Sequence, residues 1–240
     1  MPSREAAAPA VALTLRVLAR LLAYPDAELR AQLPALAEAL TRDSALPQAR
    51  TAELQGLIAD LAGSAGLEAE AAYVELFDRG RATALHLFEH VHGDSRDRGP
   101  AMIDLLQTYE QAGLFLKPGE LPDHLAVLLE YASTQPPAQA RALLAEVAHL
   151  VQNIHGAVAR RHPRYAAPLA AILDLAGEPC RAAVVPDEPG LDESWEEPPA
   201  FDGCSPAAPA RAGAGGGQPV HLVRPAPNGR GPSPIPGASA

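Results

Sequence analysis

Through the first 181 residues, apolar positions recur every three or four residues rather than every second one, the spacing that sets one face of a helix against a core. The clearest stripe runs from Ala138 to Ala159, where Leu143, Val147, Leu150, Ile154 and Val158 fall three or four apart. Val11, Leu15, Leu18 and Leu22 repeat the pattern near the start. It predicts helices over 10–23, 27–41 with Pro34 as a point where a break is allowed, 48–62, 67–78, 82–92, 99–112, 122–134 and 165–176. Pro25-Asp26, Gly63, Gly80, Gly93, Gly113, Pro118-Gly119, Pro136-Pro137 and Gly177 punctuate them. Sustained alternation rich in Val, Ile and Thr is absent, so no sheet is required. Short connections imply antiparallel neighbours, and no fixed-period repeat marks a solenoid. The expected fold class is all-α, a single globular multi-helix domain over residues 1–181.

The pattern stops there. Pro and Gly number 23 in the first 181 residues and 21 in the last 59, a density at which helix cannot persist. With few large apolar side chains to bury, such a segment cannot offset its ordering entropy. Residues 182–240 therefore read as a low-complexity, largely disordered tail. Within it, Leu191, Trp195 and Phe201 stand among Asp192, Glu193, Glu196 and Glu197, an acidic and aromatic island suited to docking on the domain or on a partner. The Gly215-Gly216-Gly217 run lacks a following Lys-Ser/Thr and a preceding strand, so it reads as linker rather than phosphate cradle.

Composition narrows the function. Aromatic residues are only 4% of the chain, so the core must be built from Leu, Ala and Val. A formal charge of -10, with no concentrated basic patch, disfavours nucleic acid and anionic lipid as partners. The two cysteines, Cys180 and Cys204, make no metal-type pair and no disulfide framework, which suits a reducing compartment. The longest stretch free of Asp, Glu, Lys and Arg, Val147 to Ala159, is 13 residues long, short of the ~20 that span a bilayer. The alanine-rich start is broken by Pro9 and followed at once by Arg16 and Arg20, unlike a secretory signal. The expected location is cytoplasmic.

One polar block, Tyr73 to Gly99, stands out from the Leu/Ala background and holds His86, His90 and His92. On a helix, His86 and His90 would share a face at a spacing that suits Zn(II), with His92 or Asp94 as a third ligand. The order His-Leu-Phe-Glu-His is not the protease motif, however, and Glu89 does not stand where its base would. A zinc-dependent enzyme built on this cluster is one alternative; a purely structural helical subunit is another. Ser95 has no nucleophile elbow, and Glu75 with Asp78 is the carboxylate spacing of a solvated face. In the same block Leu76, Phe77, Leu85, Leu87 and Phe88 are expected to face inward, before a helix carrying Met102, Ile103, Leu105, Leu106 and Tyr109. Exposed ion pairs add only about 0–1 kcal/mol each, so a dense mixed-charge loop serves specificity better than stability.

The run from Glu75 to Gly99 resembles the signature of the NarJ family, the assembly chaperones of respiratory nitrate reductase, within the wider TorD-like molybdoenzyme chaperones. The flanks agree: Leu21 to Asp26, Tyr109 to Leu114, Glu120 to Leu125, Leu129 to Tyr131 and the Leu191 to Glu197 island. The resemblance spans roughly residues 11–200. It implies an all-helical cytoplasmic chaperone that binds the cofactor-free catalytic (alpha) subunit of nitrate reductase, including its N-terminal segment. It also implies that the chaperone keeps that client competent for molybdenum cofactor insertion and off its membrane anchor, and is absent from the finished enzyme. No catalytic residue and no metal ligand are expected, and no cofactor is bound stably; the client is what receives the molybdenum cofactor. The expected partner-binding surface comprises Phe88, Glu89, His90, His92, Asp94, Ser95, Arg96, Asp97 and Arg98, with Tyr109 at its edge. Nucleic acid and membrane insertion are not expected, and the sequence leaves open whether the chain forms a homodimer.

Overall fold

The computed structural model describes residues 4–93 and 95–181, with side chains from residue 8 onward; the expected tail at 182–240 and its island lie outside the described residues. Nine α-helices follow one another there: α1 Arg4–Leu21, α2 Ala27–Asp43, α3 Gln48–Gly63, α4 Gly66–Phe77, α5 Leu87–Val91, α6 Arg98–Gln111, α7 Leu125–Thr134, α8 Pro137–Arg161 and α9 Pro163–Ala176. A single 3-10 turn, Arg81–Thr83, separates α4 from α5.

At the centre lies α9. Its sequence from Tyr165 to Leu173 has no charged or amide side chain, and all nine of these residues are buried, as a helix apolar on every side must be. It packs against α8, α3 and α1, while α1 carries α7 and α2 on its other faces. Alanines are prominent among the buried residues of both helices: Ala140, Ala148 and Ala157 on α8, Ala166, Ala167, Ala170 and Ala171 on α9. The buried face of α8 includes Ala140, Leu144, Ala148, Val151, Ile154 and Val158. The expected stripe is thus turned slightly outward, with Leu143 and Val147 only half-buried. Around this centre Leu15, Leu18, Leu22, Leu54, Leu57, Leu125 and Leu129 are fully buried, each stabilising the fold by roughly 1.5–3 kcal/mol. Tyr73, Phe77 and Tyr165 form an aromatic cluster at centroid distances of 4.8–6.2 Å, Tyr165 edge-on to the other two, and Tyr73 donates to the carbonyl of Leu22 at 2.7 Å.

Helix ends follow the expected punctuation. Asp26 accepts from the Leu29 N–H at 2.7 Å, and Gly177, at φ 80°, closes α9 by a left-handed turn. The break allowed at Pro34 is not made, α2 running through it, and α1 begins earlier than expected, at Arg4, and continues through Pro9. Each ring removes one intrahelical donor, a loss that packing of the flanking turns can outweigh. Two expected helices are also altered. Residues 82–92 do not form one helix, and α7 begins only at Leu125 rather than at 122. No helix among the described residues is long and apolar enough to cross a membrane.

Candidate functional site

The segment between the 3-10 turn and α5 is extended because something outside the block pairs with it. His86 and His124 face each other in an isolated antiparallel bridge, closed by Leu125 N–H to Leu85 O at 2.8 Å and Leu87 N–H to Asp123 O at 3.0 Å. On the other side of the break, the Thr83 hydroxyl, fully buried, donates to the Leu76 carbonyl and lies 3.1 Å from the Gly80 carbonyl. Arg161, at the end of α8, reaches the Glu75 carbonyl at 2.7 Å and the Thr83 hydroxyl at 3.3 Å. A helix through 82–92 would forfeit the bridge bonds of Leu85 and Leu87.

Asp123 is the hub of the bridge. Its side chain is 0% exposed. One oxygen accepts from His86 Nδ1 at 3.2 Å; the other accepts the Phe88 backbone N–H at 3.2 Å and lies 3.6 Å from the Arg98 guanidinium. Burial alone would raise the Asp123 pKa, but the His86 hydrogen bond, the His86 charge, the Phe88 N–H and Arg98 outweigh it and hold the carboxyl below its ordinary value. The same hydrogen bond raises His86 against its partial burial. His124 moves the other way, to about 4, because its half-buried ring is desolvated and lies beside His86, with ring centroids 5.0 Å apart. Its neutral Nδ1 caps α7 by accepting from the Ala126 N–H at 3.2 Å.

This geometry removes the basis of the zinc reading. His86 lies outside α5, so it does not share a helical face with His90. His86 is engaged by Asp123, and His90 Nε2 donates to the Ala84 carbonyl at 2.8 Å. Among the described residues no three His, Cys, Asp or Glu side chains stand close enough to hold a metal ion.

The expected partner-binding residues divide into braces and surface. Phe88 is half-buried, its ring edge-on to His92 at 5.3 Å rather than in the core. Glu89 pairs with Arg98 at 3.5 Å, and its carbonyl accepts from Arg81 at 3.1 Å. Ser95, Arg96 and Asp97 are exposed, with Ser95 Oγ accepting from the Asp97 N–H at 3.2 Å before α6 begins. Asp94 lies outside the described residues. Tyr109 does not stand at the edge of a surface: it is 0% exposed, its hydroxyl donating to the Pro122 carbonyl at 3.0 Å and its ring 5.0 Å from Tyr131. Of the apolar residues that α6 carries, only Tyr109 is fully buried, and Ile103 is 57% exposed.

Among the described residues, six large hydrophobic side chains are exposed, and four of them, Val91, Ile103, Phe115 and Leu121, fall between α5 and the start of α7. The charged and imidazole side chains of residues 89–98 lie in the same stretch of chain. Exposed apolar and polar side chains concentrated in one stretch of chain make it the candidate protein-binding segment. Asp123, His124, Thr83 and Arg161 were not foreseen as parts of this site. The Glu120 to Leu125 run marked two of them, but nothing in the spacing ties residue 123 to residue 86.

The chain matches the family model described as nitrate reductase delta subunit over residues 22–170. It is 42% identical, over 76% of its length and 82% of the relative's, to the nitrate reductase molybdenum cofactor assembly chaperone NarJ of Escherichia coli K12. It is 39% identical to that organism's probable assembly chaperone NarW, over 76% of this chain and 80% of the relative. The probable NarJ of Bacillus subtilis is 32% identical, over 67% and 86% of the two lengths. With its all-helical fold and a family match covering well over half its length, this chain belongs to the nitrate reductase delta subunit family, whose members include the NarJ assembly chaperones.

Proposed function

We propose that the chain is an assembly chaperone of respiratory nitrate reductase. It binds the catalytic alpha subunit before the molybdenum cofactor is in place, gripping the client's N-terminal segment among other parts. It keeps that client open to cofactor insertion and away from the membrane anchor, and it leaves before the enzyme is complete. It works in the cytoplasm, makes and breaks no covalent bonds and retains no cofactor. The observation that carries this reading is a coincidence of position. The block with the most specific resemblance to the family, residues 75–99, leads directly into the part of the fold that leaves Val91, Ile103, Phe115 and Leu121 in water. An apolar face with a polar rim fits an amphipathic client helix, the rim setting its direction. Ordering such a segment costs about 2–5 kcal/mol of the gross interaction, which keeps the grip reversible.

The family description, delta subunit, favours a second reading: a helical component that stays in the enzyme. Co-purification separates the two. The proposed chaperone is recovered with cofactor-free alpha subunit, made in cells blocked in molybdenum cofactor synthesis, and is missing from active enzyme. Stoichiometric retention in active, membrane-bound enzyme would establish the subunit instead.

A further inference from the structure

α6 is attached differently from the other long helices. It has 14 residues but a single buried side chain, Tyr109, and Met102, Leu105 and Leu106 are half-buried outside the contiguous core. Its attachments are few. The Tyr109 hydroxyl donates to Pro122 O at 3.0 Å, its ring lies against Tyr131, and Arg98 pairs with Glu89 at 3.5 Å and Asp123 at 3.6 Å. Glycines with left-handed backbone flank the helix, Gly93 at φ 54° before it and Gly113 at φ 79° after it. Such positions belong to turns that glycine adopts without strain.

Resting on the client-binding reading, we propose that α6 is a displaceable plug. It lifts from Pro122, Asp123 and Tyr131 as a unit, frays once undocked because a helix of 14 residues is marginal by itself in water, and an amphipathic client helix bearing an aromatic residue takes its seat. The argument is one of like for like. The seat already holds an amphipathic helix by one aromatic ring with a hydroxyl, so it fits another helix of that kind. A segment with one buried anchor opens at a small fraction of the cost of global unfolding. A client that binds only the opened form shifts the population toward it. Tyr109, shut away in the closed form, then belongs to the binding site without touching the client.

Hydrogen exchange measured by mass spectrometry on the full chain tests this. In the protein alone, amides of residues 98–111 should exchange at least ~100-fold faster than those of α8 and α9. Tyr109→Phe, which removes only the hydroxyl bond, should speed residues 98–111 about fivefold further and leave α8 unchanged. Arg98→Gln, at a partly exposed position, is a second variant expected to act with the same selectivity. Adding a synthetic peptide of the first 30 residues of the nitrate reductase alpha subunit should accelerate residues 98–111 and protect residues 122–131. Exchange of α6 in step with α8, or joint protection of α6 and residues 122–131 by the peptide, would overturn the plug. Fast α6 exchange that the peptide leaves untouched would overturn the client helix as occupant, while capture of cofactor-free enzyme by the intact chain would still uphold the wider reading.

Discussion

Asp123 and His86 meet side chain to side chain at 3.2 Å although 37 positions separate them. They sit on the two arms of one backbone bridge, so the contact joins the entry of α7 to the turn that precedes α5. Because the second Asp123 oxygen also holds the Phe88 N–H and faces Arg98, one buried carboxylate fixes where α5 starts and where α6 is pinned.

Replacing Asp123 by Ala should therefore destabilise the fold by about 2–3 kcal/mol, since it strands the Phe88 N–H, the His86 ring and the Arg98 guanidinium. Asp123→Asn keeps an acceptor and should cost less than half as much. Urea unfolding measures both. A loss under ~0.5 kcal/mol for the alanine variant would make Asp123 an ordinary surface carboxylate.

Much of the helical frame is legible in the sequence because its signals are local. Gly177 closes α9 where glycine is needed, Pro137 opens α8, and the uninterrupted apolar run 165–173 announces a central helix. Alanine blurs the register of α8: it sits equally well in water or against another helix, so its share of the buried face shows only once α9 is in place. The break at Ala84 to His86 is illegible for a stronger reason. Residues 82–92 carry helical spacing, and what overrides it is a set of bonds to Asp123, Leu125 and Arg161, all distant in sequence. The spacing of α6 does not say which of its apolar residues meet the core, so that Ile103 faces water while Tyr109 is buried shows only in the folded chain.

Stability should peak near pH 6.5, with the two bridge histidines acting on opposite sides. His86 is raised by its bond to Asp123, so its contribution is complete below the unfolded value of about 6.5 and fades as pH rises through its folded value. His124 is lowered to about 4, so the unfolded chain binds its proton first, and stability falls as pH drops from about 6.5 toward 4. Asp123, lowered as well, adds a further loss at still lower pH. Urea midpoints measured from pH 5 to 8 should show the maximum, and His86→Gln should flatten the alkaline limb and also soften the acid one, because His86 helps to hold His124 and Asp123 down.

Thr83→Val keeps the shape of a buried side chain but removes a hydroxyl bonded to Leu76 and facing Arg161. The expected cost is about 1–2 kcal/mol. It should be larger than that of Ser95→Ala, whose hydroxyl is exposed. Equal unfolding midpoints for the two would mean that the break before α5 does not depend on this bond.

Chelation should do nothing. With His86 committed to Asp123 and His90 to the Ala84 carbonyl, EDTA followed by dialysis is expected to leave the melting temperature unchanged. A drop that zinc restores would return the histidines to the role of ligands.

Val91 and Phe115 are exposed, Phe115 at 79%, so replacing both by Asp removes nothing the fold needs. Unfolding free energy should stay within ~0.5 kcal/mol of the parent. Binding should not: if these side chains meet the client, burying two carboxylates in their place should weaken capture of a peptide from the client's N-terminus about tenfold or more. Leu67→Asp is the control, since Leu67 is just as exposed but lies on α4, outside the 91–121 stretch. Calorimetric titration of the three proteins against one peptide separates a local face from general stickiness. The double variant should lose affinity while Leu67→Asp matches the parent, and equal losses would show that exposed apolar area, rather than this face, governs capture.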